Sequence, residues 1–234
     1  MAVIDLPVEL QPGVASFSLL KSGVQFVSPF NGTLSALDFV AERWTTNFTT
    51  PPQPWDVAGA LEAFADFMAG GVNYVRLRHP IRPVPRGTMR GSPTLYADAT
   101  RGANFFQLTG CGANTTLKAG DMVKLTDAEQ LFRVARDAQA NGSGRMDIYT
   151  VNRLRTNVAA GCPVEWNYPK ITFACPAMQH EPIFRPGLVD SVSFDLVEVW
   201  TPIDQEGTTG DVPNGLLLGS GYLLFDDEGN LVLA

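Results

Sequence analysis

Histidine occurs only as His79 and His180 in this chain of 234 residues, and cysteine only as Cys111, Cys162 and Cys175. So few ligands, with no C-x-x-C spacing among them, argue against a zinc centre, and an odd cysteine count leaves at least one thiol free. Charged side chains make up 18% of the chain, below the roughly 25% common in soluble domains. A surface with so little charge is expected to be covered in part by neighbours. Also missing are G-x-S-x-G, H-E-x-x-H, a phosphate loop and a dinucleotide fingerprint. The chain is therefore expected to be no enzyme and to hold no cofactor or metal; paired carboxylates keep a glycosidase as the remaining enzyme reading. Asp121, Asp127, Asp137 and Asp147 match no calcium loop and are expected to cap turns. No apolar run approaches the roughly 18 residues of a membrane span, and the opening residues lack a basic start followed by an apolar block. Neither membrane insertion nor secretion by a cleaved signal is expected. The N-x-S/T sequons at Asn31, Asn47, Asn114 and Asn141 accordingly read as loop chemistry rather than glycan acceptors.

What is present points to β structure. Apolar residues are 45% and aromatics 10%, with Gly 22 and Pro 17 marking many turns. One stretch departs from this, running from Pro54 to Arg78. Pro54 suits the first helical position, and Val57, Ala60, Leu61, Phe64, Phe67 and Met68 fall on one helical side opposite Glu62 and Asp66. Gly70-Gly71 stops the helix, and Val72–Arg78 reads as a strand. The helix is expected to cover one face of a sheet, a ligand-binding or membrane-surface helix being the alternative.

Charge is unevenly placed within the net −7. Between Arg76 and Arg90 lie five arginines and His79 with no acid, whereas Glu181–Ala234 holds ten acids and one arginine. The arginine stretch lacks the interleaved aromatics of a nucleic-acid footprint, and Pro80, Pro83 and Pro85 keep it extended. Arg76, Arg78, Arg82 and Arg86 on one side and Asp204, Glu206 and Asp211 on the other are the candidate residues of an interface between copies of the chain.

Along the chain, Val14–Leu19 and Val24–Val27 read as a hairpin or bent strand hinged at Lys21-Ser22-Gly23, followed by a turn at Pro29–Gly32 and an extended stretch from Thr33 to Thr49. A boundary is placed near Pro85. Five strands then suit a small OB-like or SH3-like barrel over residues 86–169, near Thr94–Ala97, Phe105–Thr109, Met122–Leu125, Leu131–Asp137 and Arg145–Val151. The first sheet resumes with Lys170–Cys175 and Ser191–Trp200, where Val192, Phe194, Leu196 and Val199 feed a core. The expected organisation is a ring-type β domain over 1–85 and 170–200, the inserted barrel over 86–169, and an arm over 201–234 ending in a hairpin around Asp226–Asn230. That hairpin is expected to dock on something, since two strands alone are unstable in water.

This order of a β domain with one helix, interrupted after its helix–strand unit, together with LKAGDMVKL, QLFRVARDAQANGSGRMDIY, NRLR, AGCPVEW and ITFACP, resembles the distal tail proteins of long-tailed bacteriophages, within the tail-tube-like group. The resemblance spans roughly residues 14–200. It implies a tail-tube-like β-sandwich or barrel and a structural role in the virion, assembled in the bacterial cytoplasm. It further implies a ring, usually of six copies, joining the tail tube protein to the hub or baseplate proteins at the tail tip. DNA would pass through its channel without specific binding. The alternatives are a tail-tube or connector ring, and a carbohydrate-binding or receptor-binding module with Tyr96, Trp166 or Tyr168, if exposed, as the stacking platform, core packing being the role expected first of each ring.

Overall fold

The computed structural model describes residues 2–7, 10, 13–180 and 182–199, together with the strand segments 217–218, 221–222, 224–225 and 231–232. Strands β1 (Val3–Asp5), β2 (Val14–Val27) and β3 (Leu34–Thr49) precede helix α1 (Trp55–Met68) and strand β4 (Tyr74–Arg78). The interruption that follows carries β5 (Gly91–Leu95), β6 (Phe105–Cys111), β7 (Met122–Leu125), β8 (Gln130–Arg133) and β9 (Met146–Tyr149). Strands β10 (Lys170–Ala174) and β11 (Ser193–Glu198) then return. The described chain is mainly β with one principal helix.

Helix α1 buries Ala58, Leu61, Phe64, Ala65 and Met68. Ala60, expected on this face, is exposed instead. Pro54 sits one position earlier than expected, as the extended N-cap with φ −67° and ψ 160°. The glycine stop forms as expected: Gly70 and Gly71 take φ 77° and 67°, a region where a Cβ would strain the backbone. The next strand starts at Tyr74 rather than Val72.

Six strands form one sheet in the order β1-β4-β10-β11-β3-β2. All neighbours are antiparallel except β1, which runs parallel to β4. In a flat sheet β2 and β10 stand three strand spacings apart, about 14 Å. Phe17 of β2 nevertheless lies 6.0 Å from Phe173 of β10 between ring centroids, so the sheet curls on itself. Its concave side holds Trp44, Phe48, Phe173, Phe194 and the buried face of α1. The core register of β11 runs Val192, Phe194, Leu196 and then Glu198; Val199, expected inside, is only half-buried.

The interruption opens after β4 and closes into β10, two strands that are paired neighbours. Its own apolar cluster gathers Leu95, Phe106, Leu108, Val123, Phe132 and Ile148, among others. Strands β9, β6 and β5 form one sheet, and β8, β7 and Val164–Glu165 another. Bridges Thr94–Pro163 and Val134–Thr150 join the two sheets at both sides, so the hydrogen-bonded circuit closes. The expected strand Leu131–Asp137 ends early, because Ala138–Gln139 pairs separately with Thr116–Leu117. In place of a stiff extended linker after β4 the chain turns at His79, whose Nδ1 accepts the N–H groups of Ile81 (3.2 Å) and Arg82 (3.1 Å). Residues 202–234 form a separate unit, in which Leu217–Leu218 pairs with Gly221–Tyr222 and Leu224–Phe225 with Leu231–Val232.

A buried polar cluster fastens the interruption to the sheet. Arg155 Nη2 lies 2.5 Å from Glu198 Oε2, which also accepts the Trp44 N–H at 2.8 Å. Arg155 Nε donates to the Glu42 carbonyl at 3.0 Å, and the Glu42 carboxylate accepts from Lys21 Nζ (3.0 Å) and the Arg153 N–H (2.8 Å). Both carboxylates and the guanidinium are buried, so Glu198 and Arg155 depend on each other for the solvation they have lost, and Glu42 depends on Lys21 and the Arg153 N–H. Replacing Arg155 with Met strands the Glu198 charge and is expected to destabilise the fold by about 3–5 kcal/mol. Arg155→Met combined with Glu198→Gln should cost less than Arg155→Met alone, a difference that urea unfolding of the two variants measures directly.

Candidate assembly surface

Strand β3 pairs with β11 only over Thr45–Thr49, yet it continues in pairing with β2 to Leu34. Lys21 stands opposite the three residues Val40–Glu42, and beyond this irregularity Ser22–Val27 and Leu34–Phe39 run on as a two-stranded ribbon. The expected choice between a hairpin and a bent strand is thus resolved as one long strand with an irregularity at Lys21. The ribbon closes through Ser28, whose N–H donates to the Thr33 carbonyl at 2.9 Å and whose carbonyl accepts from Gly32 at 3.0 Å. Asn31 Oδ1 accepts the Thr33 N–H at 3.1 Å, and Gly32 supplies φ 67°.

Paired residues of an antiparallel ribbon share a face, and faces alternate along each strand. The pairs Val24–Leu37, Ser22–Phe39 and Phe26–Ser35 therefore place four apolar side chains on one face, while Val27–Leu34 lies on the other. All are exposed, Phe26 by 60% and Leu37 by 56%, and Phe30 at the tip stands 97% in solvent. Isolated two-stranded ribbons are marginal in water, and contiguous exposed apolar side chains mark contact surfaces. Sequence reasoning placed the two strands but not this surface. Its signal was Val24 and Phe26 facing Leu37 and Phe39 across the turn, where no other strand among the described residues pairs with the ribbon.

The candidate arginines are spread along β4 and the turn after it. Arg76 Nε lies 3.2 Å from Asp5, which Lys170 Nζ also approaches at 3.1 Å; the Lys170 hydrogen bond and then Arg76 hold the Asp5 carboxyl below the usual carboxylate range. These residues line a cavity of about 640 Å³ in the curl of the sheet, beside Ala15, Phe48 and Leu77. Arg78 lies over the Tyr168 ring at 5.1 Å, and Arg86 pairs with the buried Asp121 at 3.5 Å. Asp121 in turn accepts the N–H groups of Lys118 (2.8 Å) and Arg86 (3.0 Å), the turn-capping role expected of it. Asp204, Glu206 and Asp211 lie outside the described residues. The rings expected as a stacking platform are not brought together. Trp166 is half-buried against the second core and donates to Gly91, at the far end of β5 from the exposed Tyr96, and Tyr168 lies beneath Arg78.

Among the described residues the other candidate groups are not assembled into an acid–base or nucleophilic centre. Cys175 Sγ lies 3.2 Å from His180 Nε2, but burial pushes the thiol up and the imidazole down, which holds the pair neutral instead of as a reactive thiolate–imidazolium. Burial likewise lifts Cys111 to about 11. Among the described residues no group of His, Cys, Asp and Glu is placed to hold a metal ion, and no helix is long and apolar enough to cross a membrane. No protein-family model matches the chain, and no curated protein matches it.

His79 carries a pH dependence. Burial, followed by the nearby Arg133 and Arg82, pushes its imidazole down to about 4. The unfolded chain therefore binds the proton first, near pH 6.5. Stability should be unaffected by this group above pH 6.5, fall as pH drops towards 4, and level off below. Urea midpoints at pH 7 and pH 5 should differ less for His79→Gln than for the parent chain.

Proposed function

We propose that the chain is a structural component of a virion, a non-enzymatic subunit that assembles head-to-tail into a closed ring at the distal end of a bacteriophage tail. In this reading the curled six-stranded sheet with its covering helix is the tail-tube-like ring domain, and the closed circuit of residues 86–169 is an OB-like or SH3-like barrel carried outside the ring. Six copies join the tail tube to the tip hub or baseplate around the DNA channel, and the net charge of −7 suits a channel that passes DNA without holding it.

The observation that carries this reading is the ribbon Ser22–Phe39. A monomer gains nothing from holding Phe26, Phe30, Leu37 and Phe39 in water, whereas a neighbour that covers them stabilises both ribbon and contact. A heterologous contact of this kind closes into a ring when the rotation between copies permits. Arg76 and Arg86 already have acids within their own chain, so the charge pairing between copies is secondary here to the apolar ribbon. In the phage host the subunit is made in the cytoplasm and ends in the tail tip.

Phe26→Asp combined with Leu37→Asp is expected to lower the assembled mass seen by sedimentation while leaving the unfolding free energy of the monomer within about 0.5 kcal/mol of the parent, since both side chains are exposed. Charge reversal at Arg76 and Arg78 should weaken assembly less than the ribbon pair does. Unchanged mass in the ribbon variant would remove the basis for the reading.

A further inference from the structure

The outward face of the β5–β6–β9 sheet has a composition that its own fold does not require. Leu95, Phe106, Leu108, Met146 and Ile148 point inward and fill the core of residues 86–169. Alternation turns Phe105, Gln107, Asp147 and Tyr149 to the other side. Register places Phe105 opposite Tyr149 and Gln107 opposite Asp147, and the Tyr96 N–H donates to the Gln107 carbonyl at 2.7 Å. One row across the strands is thus Tyr96, Gln107, Asp147; the next, about 7 Å along, is Phe105 and Tyr149.

The rings are held in place yet stay in contact with solvent. The Arg145 guanidinium lies 4.0 Å from the centre of the Tyr96 ring, Arg136 lies 3.6 Å from that of Tyr149, and Phe105 meets Tyr149 at 4.8 Å between centroids. Even so Tyr96 is 42% and Phe105 37% exposed. Between them Gln107 Nε2 donates to Asp147 Oδ1 at 3.2 Å, an exposed amide–carboxylate pair. Rings fixed before a ligand arrives lower the ordering cost of binding.

We propose that this face binds carbohydrate, the C–H side of a sugar ring packing on Phe105 and on the faces of Tyr96 and Tyr149 turned away from Arg145 and Arg136, while its hydroxyls reach Gln107 and Asp147. The charge pattern selects this ligand class over nucleic acid, which also stacks on sheet aromatics. Nucleic acid needs a track of free cations for its phosphates; here both arginines are stacked on tyrosines and a carboxylate sits in the middle row. A neutral polyol meets all of these groups without an unpaired charge. The site differs from the platform of Tyr96, Trp166 and Tyr168 expected from sequence in two of its three rings, and it does not depend on ring assembly.

The test applies the full chain to an array of neutral oligosaccharides and titrates the strongest binder, with a single-stranded oligonucleotide of mixed sequence in parallel. The expected result is saturable binding of sugar that weakens about tenfold in Tyr149→Ala and in Tyr96→Ala. Gln107→Ala, whose side chain lies outside both cores, should also weaken binding and serves if Tyr149→Ala fails to fold. Absence of sugar binding, sugar binding that survives these substitutions, or oligonucleotide binding lost in them in place of sugar binding would each overturn the proposal.

Discussion

The Arg155 guanidinium is the interaction on which the rest of the described structure depends. It enters from the end of the interrupting segment and ties two strands of the curled sheet, taking the Glu198 carboxylate of β11 and the Glu42 carbonyl of β3. The Glu198 carboxylate lies in a core register to meet it, while the Glu42 carboxylate beside it is held by Lys21 and the Arg153 N–H. Gln130 completes the fastening, accepting the Arg155 N–H at 2.9 Å and donating to the Arg153 carbonyl at 2.6 Å. Polar groups this deep are costly when unpaired, so the cluster specifies one placement of residues 86–169 against the sheet and penalises others.

That placement reaches the candidate assembly surface through β3. Glu42 belongs to the stretch where three residues of β3 face the single Lys21 of β2, and Lys21 is held there by the Glu42 carboxylate. The irregularity therefore coincides with the fastening, and the ribbon begins directly beyond it. Below that point β3 is covered by β11 and buries every second residue, Trp44, Thr46 and Phe48; above it the same strand exposes Leu34, Leu37 and Phe39. One strand thus serves the core of its own chain and offers an apolar surface outward. Strands β7 and β8 play a comparable double part, for Met122 and Leu131 pack into the sheet's core while Val123 and Phe132 fill the second one.

The sequence made most of the β architecture legible, because alternation and glycine turns are local signals. The stretch Thr33–Thr49, the helix stop at Gly70-Gly71 and the return at Lys170 all follow from such patterns. Where expectation and structure part, the deciding contact is remote. Val199 was expected inside because it is apolar, yet Glu198 holds the core register through an arginine 43 residues earlier. Ala60 fits the helical stripe as well as Ala58 does, and which of them is covered depends on the tilt of α1 against the sheet. Trp166 fits core packing better than stacking, and the second core indeed holds it. Phe105 and Tyr149, by contrast, look like ordinary strand residues until register sets them side by side. The acids Asp204, Glu206 and Asp211 lie outside the described residues, so the charge pairing read from composition rests on composition alone.

The central claim is that the Ser22–Phe39 ribbon is covered by a second copy of the chain. Native mass determination of the purified protein across rising concentration addresses it most directly. The account predicts a closed assembly of about 152 kDa, six times the 25.3 kDa chain, with the amides of Ser22–Phe39 more strongly protected from hydrogen exchange in the assembly than in the monomer. A chain that remains at 25.3 kDa at every concentration, or an assembly in which those amides exchange as fast as in the monomer, would contradict it.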